Sequence, residues 1–289
     1  MGRHVADAVS SAPVLRVAHG AHTDVGLVRD HNEDAYLAQA PVFLVADGMG
    51  GHRAGDVASA LTLRSFADLV GRPFVTGAEL GECVGRAARD VAELGSDGTA
   101  PGSTLSGLVL SLQGDLPCLR VVNIGDSRTY HFAAGSFSLV TRDHSEVQEL
   151  VDAGRLTEEE ARASDRRNVI TRALGAGGGP DVAADQFLLP AHAGDRFVIC
   201  SDGLSGQVTA ALIEMVARSV PDPDLAAREL VSRALASGGH DNVTVIVVDV
   251  LEAWPEWGEV AVDEATIPSV DDDTVPRPDV PGLAEETRR

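Results

Sequence analysis

The sequence predicts an α+β fold in which two largely antiparallel β-sheets pack together with helices outside. Three observations predict it. Runs rich in β-branched residues, bounded by Gly, Asp or Pro, read as strands. Helical patterns are clustered: two lie together, several strands follow without a helix, and then helices return. Strict strand–helix alternation is absent, which disfavours a doubly wound parallel sheet.

The elements follow in order. VFLVA (42–46) reads as the first strand, and helices are expected over 55–70 and 78–94. Strands are expected at STLSGLVLSL (103–112), CLRVVNI (118–124), RTYHF (128–132) and FSLV (137–140). A helical pattern over 145–153 precedes the strand RFVIC (196–200), helices over 207–219 and 224–236, and the strand NVTVIVVDV (242–250). ALTLRSFADLV and DLAARELVSRAL place apolar residues at three- and four-residue spacings, and Pro221 and Pro223 punctuate the last two helices.

Composition narrows the class. The chain has 289 residues, 44% of them hydrophobic, enough for a substantial core. Aromatics are only 4%, so Val, Leu, Ile and Ala must fill it. Acids outnumber bases 44 to 23, a formal net charge of -21, and every base is arginine. This argues against general nucleic-acid binding, which needs a basic footprint. The acidity reads either as solubility with an acidic tail or as carboxylates converging on divalent cations. Cys83, Cys118 and Cys200 are widely spaced with no CxxC pair, so zinc is disfavoured and reduced thiols are expected. No run approaches the roughly 20 apolar residues of a membrane span. The N-terminus lacks the apolar segment of a signal peptide, so a cytoplasmic protein is expected.

Three regions are expected: a disordered leader at 1–15, a folded domain at 16–253, and an acidic, Pro-rich disordered tail at 254–289. In the tail, Thr266 and Thr274 each follow acidic residues. They read as part of a featureless spacer, or as kinase targets that would dock a phosphothreonine-reading domain.

The chemistry is suggested by where the acids fall. Asp47 (VFLVADGMGGH), Asp126 (RVVNIGDSR) and Asp202 (RFVICSDGL) each follow an apolar strand, and Asp241 (GGHDNVTVIVV) precedes one. HNEDAYL adds Glu33 and Asp34 before a short apolar run. One Asp-Gly after a strand is ordinarily a turn. Five such sites are harder to explain so. Carboxylates brought together repel unless a cation joins them, and Mg²⁺ or Mn²⁺ accepts an all-oxygen ligand set.

In this order, TDVGLVRDHNEDAYL (23–37), VADGMGGHRAGDVAS (45–59), GSTLSG (102–107), NIGDSRTY (123–130), TRDHS (141–145), RNVITRALG (167–175), GDRFVICSDGL (194–204) and GHDNVTVIVV (239–248) resemble the bacterial form of the metal-dependent PPM (type 2C) protein phosphatases. The resemblance covers about residues 20–250. It implies two antiparallel sheets flanked by helices. It also implies two Mg²⁺ or Mn²⁺ ions bridged by Asp47, with the Gly48 carbonyl on one. Asp202 and Asp241 would hold the other, and Glu33 or Asp34 would bind directly or through water. Asp126 and Asp202 are the candidates for a third, weaker metal. None of these positions is substituted.

A water bridging two cations would then attack phosphorus in line, opposite the Ser or Thr oxygen. The leaving oxygen needs a proton, and His52, on the Gly-rich turn after Asp47, is the candidate general acid. Arg29, four residues before Glu33, matches the family's phosphate-binding arginine and is the candidate clamp. His31, His144 and His240 could support the site from behind. Residues 145–172 read as a flap that sorts substrates or as a solvated helical hairpin.

Three functions compete on these residues: a phosphoserine/phosphothreonine protein phosphatase opposing Ser/Thr kinases, a non-catalytic binding module, and another metal-dependent hydrolase. The complete acid set favours the first. The implied partners are phosphorylated proteins, and the resemblance suggests a monomer.

Overall fold

The computed structural model describes residues 12–50, 54–95, 100–133, 135–176 and 182–257. Its strands are β1 (Val14–Asp24), β2 (Asp34–Gln39), β3 (Val42–Met49), β4 (Gly102–Ser103), β5 (Leu105–Gln113), β6 (Leu116–Ile124), β7 (Arg128–Ala133), β8 (Ser136–Leu139), β9 (Leu174–Gly175), β10 (Asp185–Pro190), β11 (Arg196–Cys200) and β12 (Val243–Trp254). Its helices are α1 (Ala54–Arg64), α2 (Gly77–Leu94), α3 (Glu146–Asp152), α4 (Glu158–Ala163), α5 (Asp202–Ser205), α6 (Ala210–Ser219) and α7 (Pro223–Ala236).

One sheet has the order β1-β12-β11-β7-β8. The other runs β10-β6-β5-β3-β4-β9, with β2 on the free edge of β3. The pairings are antiparallel throughout. Alternation along the central strands sets the layers, because successive side chains face opposite sides of a sheet. Phe43 and Val45 of β3, Phe197 and Ile199 of β11, and Ile246 and Val248 of β12 meet between the sheets. Val42, Leu44 and Ala46 point the other way, onto Leu80, Val84 and Ala87 of α2. Val198, Val245 and Val247 pack against Ile213 of α6 and Leu230 and Ala234 of α7. Both faces of each central strand are therefore dry, which is why those strands read as unbroken apolar runs. The result is the expected α+β sandwich of two antiparallel sheets flanked by helices.

Several boundaries moved. The helix expected over 55–70 stops at Arg64 and gives way to a short 3₁₀ turn at Ala67–Leu69. There Thr62 and Ser65 donate their hydroxyls to the carbonyls of Ala58 and Leu61, a competition that weakens helix continuation. The strand expected over 103–112 divides at Thr104, whose backbone and side chain are committed to Asp47. The helix expected from 207 starts at Ala210, capped by the Thr209 hydroxyl. The leader and tail limits also shift. Val14 and Leu15 pair with Trp254 and Ala253 across β1 and β12. Trp257 Nε1 donates to Pro117 O at 2.6 Å. Thr266 and Thr274 lie outside the described residues.

Candidate metal centre

Five acids expected at the site come to one end of the sandwich because the strand ends do. Asp34 opens β2 and stands opposite Asp47 near the end of β3. Asp126 lies in the tight connection from β6 to β7, Asp202 follows β11, and Asp241 precedes β12. Asp126 is buried, and the other four are partly exposed in the recess between the strand ends.

Their electrostatics are those of crowded anions. Burial pushes the Asp34 carboxyl up to about 7, with Asp202 and Asp241 adding repulsion against hydrogen bonds from Ser201 and Thr244. Asp47 is driven well above the usual carboxylate range by burial and then by Asp34, Asp202, Asp126 and Asp241. Burial and the charges of Asp202 and Asp143 raise Asp126 to about 7. Asp202 is raised by burial and by Asp241, opposed by a hydrogen bond with Asp47. Two shielded oxygens, Asp34 Oδ1 and Asp126 Oδ1, have no hydrogen-bond partner. Buried acceptors are normally satisfied, so orphaned oxygens in a field of like charge fit a cation.

Glu33 and Gly48 share a second feature of that fit. A side chain added at Gly55 would lie 2.8 Å from Glu33 Oε1 and 2.9 Å from Gly48 O. The bare Cα of Gly55 thus leaves room for an acidic oxygen and a carbonyl side by side at the start of α1. The donor set, all oxygen, suits Mg²⁺ or Mn²⁺.

Arg29 sits differently from its expected role. Its Nη2 donates to Asp241 Oδ2 at 2.8 Å, and this bond is the first cause of its raised pKa. Asp241 Oδ1 accepts the Asn242 amide at 2.9 Å. Both oxygens of this expected ligand are engaged. Among the described residues, no three His, Cys, Asp or Glu side chains enclose a point as one ion's ligands do. His52 lies outside the described residues.

Several supporting residues escaped the sequence reading. Ser201 Oγ donates to Asp34 Oδ2 at 2.7 Å and accepts the Thr244 amide at 3.0 Å. Thr104 Oγ1 accepts the Asp47 amide at 3.0 Å and contacts Ser127 Oγ at 2.8 Å. Asn242 donates to the carbonyls of Val25 and His31, 2.9 Å each, and accepts the Glu33 amide at 2.8 Å. Their one signal was position: each lies within a stretch already singled out, Ser201 and Asn242 directly beside an acid and Thr104 within GSTLSG. Of the three histidines, His144 pins Gly125, next to Asp126, through its Nδ1 at 3.0 Å. His31 contributes its carbonyl to Asn242, and the His240 ring lies against Gly238.

The segment 145–172 is tied at both ends. Ser145 bridges Ile170, and the Thr171 amide donates to His144 O at 2.9 Å. Between this hairpin and the α5–α6 region opens a cleft of about 710 Å³, with Asp126 and Asp202 in its lining.

Comparison with known proteins agrees with this architecture. The profile described as Protein phosphatase 2C matches residues 21–236. The serine/threonine protein phosphatase PstP of Mycobacterium tuberculosis is 38% identical over 270 residues, 92% of this chain and 50% of that protein. The serine/threonine phosphatase stp of Listeria innocua is 34% identical over 241 residues, 78% of this chain and 93% of its own. A crystal structure of the PstP catalytic domain with two manganese ions superposes with a TM-score of 0.74 at 37% identity, covering 83% of this chain and 100% of that one. The chain belongs to the protein phosphatase 2C family. It spans about half the length of the mycobacterial relatives it matches. Among the described residues no helix is long and apolar enough to cross a membrane.

Proposed function

We propose that this protein is a metal-dependent phosphatase that hydrolyses phosphoserine and phosphothreonine in proteins, opposing Ser/Thr kinases. The observation that carries the reading is the convergence of Asp34, Asp47, Asp126, Asp202 and Asp241 on one recess, with two shielded, unpartnered oxygens. Support comes from the names of the relatives and from the two manganese ions in the PstP catalytic domain.

Bound there, a pair of Mn²⁺ or Mg²⁺ ions lowers the pKa of coordinated water towards neutrality and offsets phosphoryl charge. Asp47 with the Gly48 carbonyl, and Asp202 with Asp241, would hold the pair; Glu33 and Asp34 would complete it directly or through water. Asp126 and Asp202 face the cleft and suit a third, weaker ion. Ser201 and Thr104 hold Asp34 and Asp47 in place through the hydrogen bonds above. Turning Asp241 off Arg29 frees a ligand and a guanidinium together, and Arg29 then grips two phosphoryl oxygens with its planar fork. His52 delivers the proton to the departing Ser or Thr oxygen. Residues 145–172 act as the flap over the cleft. The three cysteines are free and buried, which suits a reducing cytoplasm, and the protein acts as a monomer on phosphorylated partners.

The test is hydrolysis of a phosphothreonine peptide at neutral pH with Mn²⁺, with Mg²⁺ and with EDTA. Asp202→Asn should lower turnover by about a hundredfold or more, and EDTA should abolish it. A wild-type protein inert with both metals would leave a binding module as the better reading.

A further inference from the structure

The loop that carries Arg29 also displays two large apolar side chains. Leu27 is 69% exposed and Val28 62% exposed. Two such residues side by side are unusual on a chain of net charge -21, where an exposed apolar pair has no solubility role. They are not exposed because the loop is loose. The Leu27 amide donates to Gly239 O at 2.7 Å, and Gly26 donates to Asp24 Oδ1 at 2.8 Å. Asn242 clasps the loop at both ends, through Val25 O and His31 O. Gly26 has φ +82°, and a side chain there would meet Asp241 O at 2.3 Å, so the turn is pressed against the segment that leads into β12. The fold thus spends several hydrogen bonds on holding Leu27 and Val28 outward.

Their neighbours define what could cover them. Arg29 follows directly, and consecutive Cα atoms are about 3.8 Å apart, so all three residues lie within one peptide's reach. The rest of the rim is acidic or polar: Asp30 and His31 are exposed on the same loop, and Arg29 touches Asp241. A phosphorylated polypeptide whose phosphoryl group reaches Arg29 must lay its flanking residues across this loop. An apolar flanking residue would bury Leu27 and Val28. An acidic one would cover apolar surface with a charge beside Asp30 and Asp241.

We propose that Leu27 and Val28 form a substrate-docking lip that makes the enzyme prefer phosphopeptides with an apolar residue next to the phosphorylated Ser or Thr over those with an acidic residue there. The proposal rests on the phosphatase reading above. It assigns Leu27 and Val28 a specificity role that no acid or metal-ligand argument predicts.

The experiment compares two phosphothreonine peptides that differ only in the flanking residues, Leu in one and Asp in the other. Both are assayed with the full chain and Mn²⁺, with p-nitrophenyl phosphate as a substrate that has no flanking residues. The wild type should prefer the Leu peptide in kcat/KM by about tenfold, the effect of burying one apolar side chain, and mostly through KM. In Leu27→Ser/Val28→Ser the ratio of the two kcat/KM values should fall to near one. Val28→Arg should shift the ratio further, towards the Asp peptide. Damage to the Arg29 loop would lower all three substrates together and leave the ratio intact, so a persistent ratio in both variants overturns the proposal. So does a wild type with no preference. A wild type that hydrolyses none of the three overturns the phosphatase reading itself; hydrolysis of p-nitrophenyl phosphate without preference overturns only the docking lip.

Discussion

At the residue scale, His144 shows how a polar side chain supports the centre from behind. Gly125 donates its amide to Nδ1 at 3.0 Å, so the proton of the neutral ring sits on Nε2 and is shared with Asp185 Oδ2 at 3.1 Å. Arg172 lies 3.0 Å from the same Nε2, but its own partner is Asp185 Oδ1 at 2.7 Å. Burial, aided by the Arg172 charge and opposed by Asp185, holds the imidazole below its ordinary pKa. The unfolded chain therefore takes up the proton first as pH falls. The stability that His144 contributes is complete above about pH 6.5 and is lost as pH falls through that value towards the lower folded pKa. Asn at this position keeps an acceptor near Gly125 but does not titrate. Urea denaturation of wild type and His144→Asn at pH 7.5 and pH 5.5 should show the wild-type advantage shrinking at the lower pH. An advantage that is constant or grows would show that the neutral ring is not what the fold uses.

At the scale of elements, the central strands are bound by burial on both faces. Phe197 of β11 is fully buried between the sheets and stacks on His131, with ring centroids 4.5 Å apart and planes 10° from parallel. Phe197→Ala should cost about 3–5 kcal/mol, because sheets pinned on both sides cannot collapse into the space. The check is the urea midpoint at unchanged m-value; a loss under about 1 kcal/mol would mean the layers close up. Strands of this kind were readable from the sequence: β3, β5, β6, β7, β11 and β12 all fall where apolar runs lie. Besides the two-residue β9, too short to show a period, the missed strands are β1, β2 and β10. Each lies at a sheet edge or pairs beyond the main path, and most of its residues are only half buried. Half-burial leaves a sequence such as VLRVAHGAHTD without a clear period of two.

For the molecule as a whole, the recess of acids predicts a stability that depends on metal. The folded state holds carboxylates together against burial and mutual repulsion, and the unfolded chain does not. A cation that binds only the folded form adds roughly 2.7 kcal/mol at a hundred times its Kd. Calorimetry should show the melting temperature of the chain rising with Mn²⁺ and falling back with EDTA. Asp47→Asn should lose most of that rise, yet melt higher than the wild type when both are in EDTA at pH 7.5, because one repelling charge is gone. A wild-type melting temperature indifferent to Mn²⁺ would remove the basis for a metal centre here.

The sequence by itself determined the class of fold, the central strands, and which acids stand at strand ends, because all three depend on local pattern: apolar alternation, and Asp set at the ends of those strands. Only the tertiary structure decided how the acids meet. Asp34 faces Asp47 through strand register, Arg29 is drawn onto Asp241 across 212 positions, and Ser201, Thr104 and Asn242 become the braces of the site. The physical reason is range. Burial and turn preference act on neighbours along the chain, whereas a carboxylate's pKa and a hydrogen bond depend on what folding brings within a few ångströms, whatever its position in the sequence.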